Sequence, residues 1–416
     1  MLVYLAAQLL PVVSPPLPGG AVAVDSGRIV ACGLRDRVLA AAGEEAQVRD
    51  LGQVVLMPGL VNCHTHLELS WAADEPAPPE NYVAWLRRLL ELRPSVSPER
   101  ERAAALRTLD RLVAGGTVAV GDVANETWIA PMMAESGLYG TIFHEVLGTR
   151  PAAVEEVLEA ADTRLAHVRR LDAVRSAAHR LQLVPSPHAP HTVSEPLLRA
   201  LARRARASDR PLSIHVAESE AETILLRDGD GPLAALFDER GFRDADWRAP
   251  GRTPVEQLHR AGALFSRTLA VHCVRVGATD RALLSAAGVT VVACPRSNER
   301  LGVGQPPLAE LLRDGVRVAL GTDSLASAPD IDLFAEMAAL RRLHTGISSE
   351  AVVRMATLEG ARALGLADRL GSIQPGHLAR LVAVPLSQPD TDPLDAVCAG
   401  PACVHPLERS PWTAPA

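Results

Sequence analysis

Two of the chain's thirteen histidines stand one residue apart in "PGLVNCHTHLELS", Pro58 to Ser70, directly after an apolar run. Side chains at i and i+2 leave an extended chain on the same side. A strand through Gly59-Leu60-Val61 therefore aims His64 and His66 together from its C-terminal end. Two neutral imidazoles converging on one point are poor packing material and good ligands for a divalent cation. Taken alone, the pair reads equally well as two loop histidines, so the remaining segments must decide.

An apolar run ending in a titratable residue recurs. "PSPHAPHT" carries His188 and His191, "SIHVAES" carries His215 and Glu218, "LAVHCV" carries His272, and "LGTDS" carries Asp323. Each has an ordinary explanation by itself: His272 as a satisfied core histidine, Asp323 as a helix N-cap, Glu218 as an acid in a helix's first turn. Their shared position argues otherwise. The apolar runs predict strands over 59–64, 117–123, 141–147, 181–186, 212–217, 268–274, 289–294 and 316–322. Helical patterns lie between them, as in "ERERAAALRTLDRLVAGG", where Ala104, Leu106, Leu109, Leu112 and Val113 share a face and Gly115-Gly116 supply the stop. Eight strands alternating with helices predict a (β/α)8 TIM barrel, which gathers functional groups at the C-terminal ends of its strands. An open doubly wound sheet fits less well, because no Gly-rich nucleotide fingerprint follows the first strand.

Three imidazoles and a carboxylate suit one divalent cation, Zn²⁺ first, with Fe²⁺ or Mn²⁺ compatible. Such a centre makes water nucleophilic near pH 7. The chain contains no lysine, which excludes Schiff-base catalysis and a carboxylated-lysine bridge, so one cation is expected rather than two. A net charge of −7 with no basic run argues against nucleic acid or an anionic membrane as partner and leaves a small-molecule substrate. The six cysteines, Cys32, Cys63, Cys273, Cys294, Cys398 and Cys403, form no C-x-x-C pair and read as reduced thiols of a cytoplasmic protein. "MLVYLAAQLLPVV" lacks a basic residue before its apolar run and is too short to span a bilayer, so it reads as a strand. "GAVAVDSGRIVACG" (Gly20–Gly33) reads as a hairpin turning at Asp25-Ser26-Gly27, and "GSIQPGHLARLVAV" as a turn and a strand, so both ends of the chain look β-rich.

With these residues in place, the sequence resembles the amidohydrolase superfamily over nearly its whole length. The H-x-x-E of His215 and Glu218 is similar to the mononuclear deaminase branch, which includes methylthioadenosine/S-adenosylhomocysteine deaminases. "HTHLELS", "YVAWLRRLLELR", "FHEVLG", "SPHAPHTVS", "HVAESEAE", "CPRSNERLG" and "GTDSLASAPDIDLFAEM" look most like aminodeoxyfutalosine deaminases of the alternative menaquinone pathway. The resemblance implies a β-sandwich split between 1–57 and 365–416 around a barrel at 58–364, and a homodimer, as relatives often form. It implies metal ligation by His64, His66, His215 and Asp323, and catalysis by Glu218, His272 and Asp323. His272 would hydrogen-bond the attacking water, Asp323 accept its proton, and Glu218 protonate the ring. His188, Glu68 and Trp85 are implied substrate contacts. A benzoate on the substrate would call for an arginine, with Arg88, Arg93 and Arg296 as candidates. Deamination of another purine, a pterin or an adenosine derivative is the alternative activity, as is hydrolysis of a cyclic amide or triazine. Arg380 stands where relatives usually carry Asp, and His191 where the deaminases often carry Tyr.

Overall fold

The structure is a computed structural model that describes residues 1–75, 81–243, 247–388, 390–400 and 404–407. All eight predicted strands are present: β1 Leu60–Thr65, β2 Thr117–Ala124, β3 Tyr139–Val146, β4 Leu181–Pro187, β5 Leu212–Val216, β6 Thr268–His272, β7 Thr290–Ala293 and β8 Arg317–Leu320. They pair in parallel as two four-stranded sheets, β4-β3-β2-β1 and β5-β6-β7-β8. Strands covered on both faces need continuous apolar runs, which is why they stand out in the sequence. One apolar cluster takes Val61 and Cys63 from β1, Ala119 from β2, Phe143 from β3, Val184 from β4, Val271 from β6, Val292 from β7 and Ala319 from β8.

The two sheets meet at two seams. At the first, Ser186 Oγ donates to Ser213 O (2.6 Å) and accepts from Ser213 N–H (2.8 Å), while His215 N–H donates to His188 O (3.0 Å). At the second, the N–H groups of Thr322 and Asp323 both donate to His64 O at 3.0 Å, and Asn62 Nδ2 donates to Thr322 Oγ1 at 2.8 Å. The second seam therefore clamps the backbone of Asp323 onto that of His64, residues 259 positions apart in the chain by subtraction of their numbers.

The chain ends form two further sheets. Leu2–Leu5 pairs with the hairpin strand Gly20–Asp25 and with Gln47–Asp50. The other sheet joins Gln8–Leu9 and Val54–Pro58 from the N-terminal part to Leu381–Pro385 from the C-terminal part. Tyr4, Val22 and Ile29 from the first pack with Leu9, Leu56 and Leu381 from the second. The hairpin turns through Ser26 and Gly27, both at positive φ, as the sequence implied.

One helical face differs from its expectation. Helix α1, Pro98–Ala114, buries Ala104, Ala105, Thr108, Leu109 and Leu112, whereas Leu106 is exposed. At 100° per residue Leu106 lies roughly 130° around the helix from the middle of that stripe. Cys63, Cys273, Cys294 and Cys398 are buried and unpaired, Cys32 is half-buried, and Cys403 lies outside the described residues. Among the described residues, no helix is long and apolar enough to cross a membrane.

Candidate metal centre and active-site cavity

His64 is fully buried, and neither of its ring nitrogens has a hydrogen-bond partner. Leaving buried polar groups unpaired costs about 1–3 kcal/mol each, so such a ring needs a ligand or an ion. Its surroundings suit an ion. The rings of His66 and His215 each lie 4.8 Å from that of His64, centroid to centroid. Nε2 of His66 and Nε2 of His215 are 3.2 Å apart. Oδ1 of Asp323 stands 3.6 Å from His64 Nε2 and 3.8 Å from His66 Nε2. Tetrahedral ligands on bonds near 2.0 Å are separated by roughly 3.3 Å, the range seen here.

The protonation states agree. Burial pushes His66 down to about 3, with the neighbouring His64 adding to the effect. Burial also carries His215 well below its ordinary value, and lowers His64 despite the pull of Asp323. Burial opposes the charge on Asp323, yet attraction from His64, His272 and His66 holds its carboxyl well below the usual range. Ser297 and Ser327 hydroxyls donate to Asp323 Oδ2 at 2.6 and 2.8 Å, and Ser324 N–H donates to Oδ1 at 2.7 Å. With its Nδ1–H directed to His188 O (3.0 Å), His215 turns the Nε2 lone pair inward. Neutral imidazoles with free lone pairs and one anionic oxygen are what a divalent cation binds, so the residues fit one.

Beside this set lies a proton-carrying pair. Burial is the main force pushing the Glu218 carboxyl up to about 7, with Asp323 and Glu222 adding to it and His272 opposing. Oε1 of Glu218 is 3.5 Å from Nε2 of His272, whose Nδ1 is 3.0 Å from Asn298 Oδ1. An amide oxygen only accepts, so Nδ1 carries the hydrogen and Nε2 faces Glu218 as the acceptor. Glu218 is anchored from behind, its own N–H donating to Glu222 Oε2 at 2.9 Å. Ala217, His272, Cys273 and Asp323, all at strand ends of this site, hold positive φ without being glycine. Such backbone is strained and persists where surrounding contacts over-determine it.

Close approach fixes His64 as well. A Cβ on Gly321 would lie 2.7 Å from His64 Cβ, 2.9 Å from its O and 3.0 Å from its N. Backbone cannot yield cheaply, so Gly321→Ala should destabilise the fold by about 1–3 kcal/mol. Because the clash is with a candidate ligand, cation affinity should fall too. Thermal unfolding with and without added Zn²⁺ reads both effects, and an unchanged metal-induced stabilisation would contradict the account.

Residues 55–403 match the Amidohydrolase family. The chain belongs to the amidohydrolase family. The aminodeoxyfutalosine deaminase of Deinococcus radiodurans is 36% identical over 357 residues, covering 84% of this chain and 82% of that one. The 5-methylthioadenosine/S-adenosylhomocysteine deaminase of Syntrophobacter fumaroxidans is 31% identical over 393 residues, 90% of this chain and 82% of that one. Among solved structures, an adenosine deaminase from Xanthomonas campestris with bound zinc superposes with a TM-score of 0.77 at 27% identity, over 96% of this chain and 89% of that one. This chain is accordingly a hydrolytic enzyme of the aminohydrolase kind.

The amidohydrolase opens a cavity of about 760 Å³ over these residues, lined by His66, His215, Glu218, His272 and Asp323. His188, Glu68 and Trp85 all line it. Glu68, however, has its oxygens taken: Arg93 Nη2 donates to it at 2.9 Å, Asn125 Nδ2 at 3.1 Å and Glu126 N–H at 2.8 Å. Trp85 is pinned by its indole N–H, which donates to Ala326 O at 2.9 Å. His191 sits behind the acid, Nδ1 3.5 Å from Glu222 Oε1. Of the arginines considered for a substrate carboxylate, Arg296 pairs with Asp330 (2.5 and 2.7 Å), and neither it nor Arg88 lines the cavity. Arg93 does line it, but is held by Glu68.

Sequence reasoning missed Glu145, the glutamate of "FHEVLG" near the end of β3. It is buried, Asn125 Nδ2 donates to its Oε2 at 2.6 Å, and Oε1 is unpartnered. Its Oε1 lies 3.8 Å from His215 Nδ1 and 3.9 Å from His188 Nε2. An acid near the end of a largely apolar strand was the available signal.

Proposed function

We propose that the chain is a metal-dependent deaminase of adenine nucleosides and that its substrate is 6-amino-6-deoxyfutalosine, converted to futalosine and ammonia in menaquinone biosynthesis. The observation that carries the reaction type is Glu218: a buried carboxyl that keeps its proton near neutrality, on the cavity wall beside His272 and Asp323. The substrate follows from the relative at 36% identity. In this reading the eight strands close through the two seams into a (β/α)8 barrel at 58–364, with a β-sandwich assembled from 1–57 and 365–416. The partner is a small molecule, with neither nucleic acid nor membrane involved.

His64, His66, His215 and Asp323 would hold the cation. A divalent ion there, Zn²⁺ in the first instance, supplies the Lewis acidity that brings proton loss from water into the neutral range. Glu218 gives its proton to N1 of the adenine ring, which makes C6 electrophilic. The attacking water is oriented by His272 Nε2 and loses a proton to Asp323 as its oxygen bonds to C6. The C6–N bond then breaks, and the amino group leaves as ammonia with the proton that Asp323 held. The water's second proton restores Glu218, and the proton on N1 stays in the hypoxanthine-type product. His188 and Trp85 would wall the nucleoside, with Glu68 bracing that wall.

Metal-loaded enzyme mixed with 6-amino-6-deoxyfutalosine should release one ammonia per turnover and shift the purine absorbance to the blue. An unchanged spectrum alongside turnover of another purine or a pterin would overturn the substrate. A second reading, deamination of 5′-methylthioadenosine or S-adenosylhomocysteine, is favoured by the 31% identical relative. Comparing kcat/KM for the three compounds separates the readings. Release of chloride or ring opening in place of ammonia would point to the triazine or cyclic-amide chemistry.

A further inference from the structure

Behind the acid of the cavity lies a second buried pair that the deamination steps do not use. His191 and Glu222 are both buried, with His191 Nδ1 3.5 Å from Glu222 Oε1. Among the described residues neither atom has a hydrogen-bond partner, so their contact with each other is what offsets the burial of both. The second oxygen of Glu222 accepts the Glu218 N–H at 2.9 Å. A carboxylate only accepts, so the ring nitrogen facing it carries the hydrogen. Two links therefore run from His191 through Glu222 to the main chain of Glu218.

Helix capping does not account for this arrangement. Glu222 is the third residue of the helix Glu220–Asp228, whose N-cap Ser219 accepts the Glu222 N–H at 3.3 Å. In a capping box the acid at that position turns back to the N–H of the N-cap residue. Here it reaches one residue further, to Glu218. The main chain there is in need of a hold: Ala217, directly before the acid, sits at a φ of 53° without being glycine. His191 follows β4 whereas Glu222 follows β5, so their contact crosses the first seam. It ties the loop that carries His188 to the strand end that carries Glu218. The His191 ring is itself packed, its centroid 6.2 Å from that of His188 and 5.8 Å from that of Phe237.

We propose that His191 is a positioning residue for the acid: it holds Glu222, which in turn holds the main chain of Glu218 so that the carboxyl meets the reacting ring. The assignment rests on Glu218 as the proton donor of the deaminase reading and adds two residues to which that chemistry gives no part. The titratable groups facing the Glu218 carboxyl are His272, Asp323, Glu222 and Tyr82, and Glu222 is one of those that push it up. Glu222 thus acts on the acid twice, through the N–H and through its charge. The groups facing His191 are Glu222 and His188.

The Zn²⁺-loaded full chain is compared as wild type, His191→Phe, His191→Asn and Glu222→Gln. Phe keeps the bulk of the ring without a donor, and Asn places a donor where Nδ1 stands. Amide hydrogen exchange at residue 218, read without substrate, should quicken about tenfold in His191→Phe and stay within about twofold of wild type in His191→Asn. Deamination of an adenine nucleoside should follow, with kcat down about tenfold and KM within about twofold in the Phe variant, and kcat restored by Asn. Zn²⁺-induced stabilisation should be equal in all four proteins, because neither residue is a ligand. Glu222→Gln keeps an acceptor for the Glu218 N–H and removes a charge that pushes the carboxyl up, so the alkaline limb of kcat/KM should move to lower pH. That arm decides the matter should His191→Phe fail to fold. Unaltered exchange and kcat in His191→Phe, an Asn variant no better than Phe, or an unmoved alkaline limb in Glu222→Gln overturns the assignment. If wild type deaminates no adenine nucleoside while exchange at residue 218 still depends on residue 191, the function reading fails and the anchor survives.

Discussion

Glu218→Gln is expected to lower kcat by about 10²- to 10⁴-fold while the protein keeps its cation. Gln fills nearly the same volume, and the backbone N–H of residue 218 still donates to Glu222. What disappears is a transferable proton. Burial pushes the Glu218 carboxyl from 4.5 up to about 7, so the acid form dominates below that value and is lost above it. The sign follows directly: kcat/KM should fall tenfold per pH unit on the alkaline side of about 7 if Glu218 acts as an acid. On the acid side, Asp323 is held well below the usual carboxylate range, so its charge persists to low pH. In Glu218→Gln the alkaline limb should vanish along with most of the rate. Steady-state kinetics across pH 5–9, with metal analysis of the same samples, reads both. A variant retaining a third of the wild-type rate, or one with an unaltered pH profile, would remove Glu218 from the proton transfer.

The same residues show how much of this site could be read from the chain. The strands were legible because a strand buried on both faces must be apolar throughout, and a His, Glu or Asp at its end breaks that rule visibly. His64, His66, His215, His272 and Asp323 all fall where a parallel strand stops or just beyond, and they share one cavity or its floor. The groups that tune them were not legible. Asn298 and Ser297 sit on the short helix Pro295–Arg300, where "CPRSN" reads only as a turn after β7. They matter because a neighbouring strand brings His272 to the one and β8 brings Asp323 to the other. Both contacts span 26 residues, a separation at which one sequence carries no signal of pairing. Glu145 escaped for a related reason. Its partners lie on β2's end, in the β4 loop and on β5, and only the curvature of the sheet brings them round.

Helical amphipathicity was legible in type and wrong in detail. Choosing Leu106 for the buried face of α1 counted apolar residues, whereas packing follows angle. Ala105 and Thr108 are buried because they lie inside the stripe, despite being small or polar. The arginine candidates show a second limit of the sequence. Charge on a side chain is plain in the sequence, but whether a carboxylate already neutralises it is a tertiary fact. Arg93 pairs with Glu68 and Arg296 with Asp330.

Asp323→Asn is expected to abolish both cation binding and turnover, with kcat falling by more than about 10³-fold. Every group that hydrogen-bonds the carboxylate does so as a donor. Ser297 and Ser327 hydroxyls donate to one oxygen, Ser324 N–H to the other, and His64 and His66 face that second oxygen. An amide has one acceptor end, so Asn turns N–H groups either at the Ser324 N–H or at the two serine hydroxyls, which must then rotate to accept. One or more of these hydrogen bonds is lost at about 1–3 kcal/mol each, and the only anionic ligand of the set goes with it. Wild type should therefore gain thermal stability on addition of Zn²⁺, by about 2.7 kcal/mol at a hundredfold excess over Kd, and the variant should gain almost none. The contrast with Glu218→Gln is the informative part: that variant keeps the Zn²⁺-induced stabilisation and loses the rate, whereas this one loses both. Stoichiometric metal in Asp323→Asn, or equal stabilisation of the two proteins by Zn²⁺, would mean that Asp323 serves only as a hydrogen-bond acceptor for its serines and that the cation, if any, is held by the imidazoles alone.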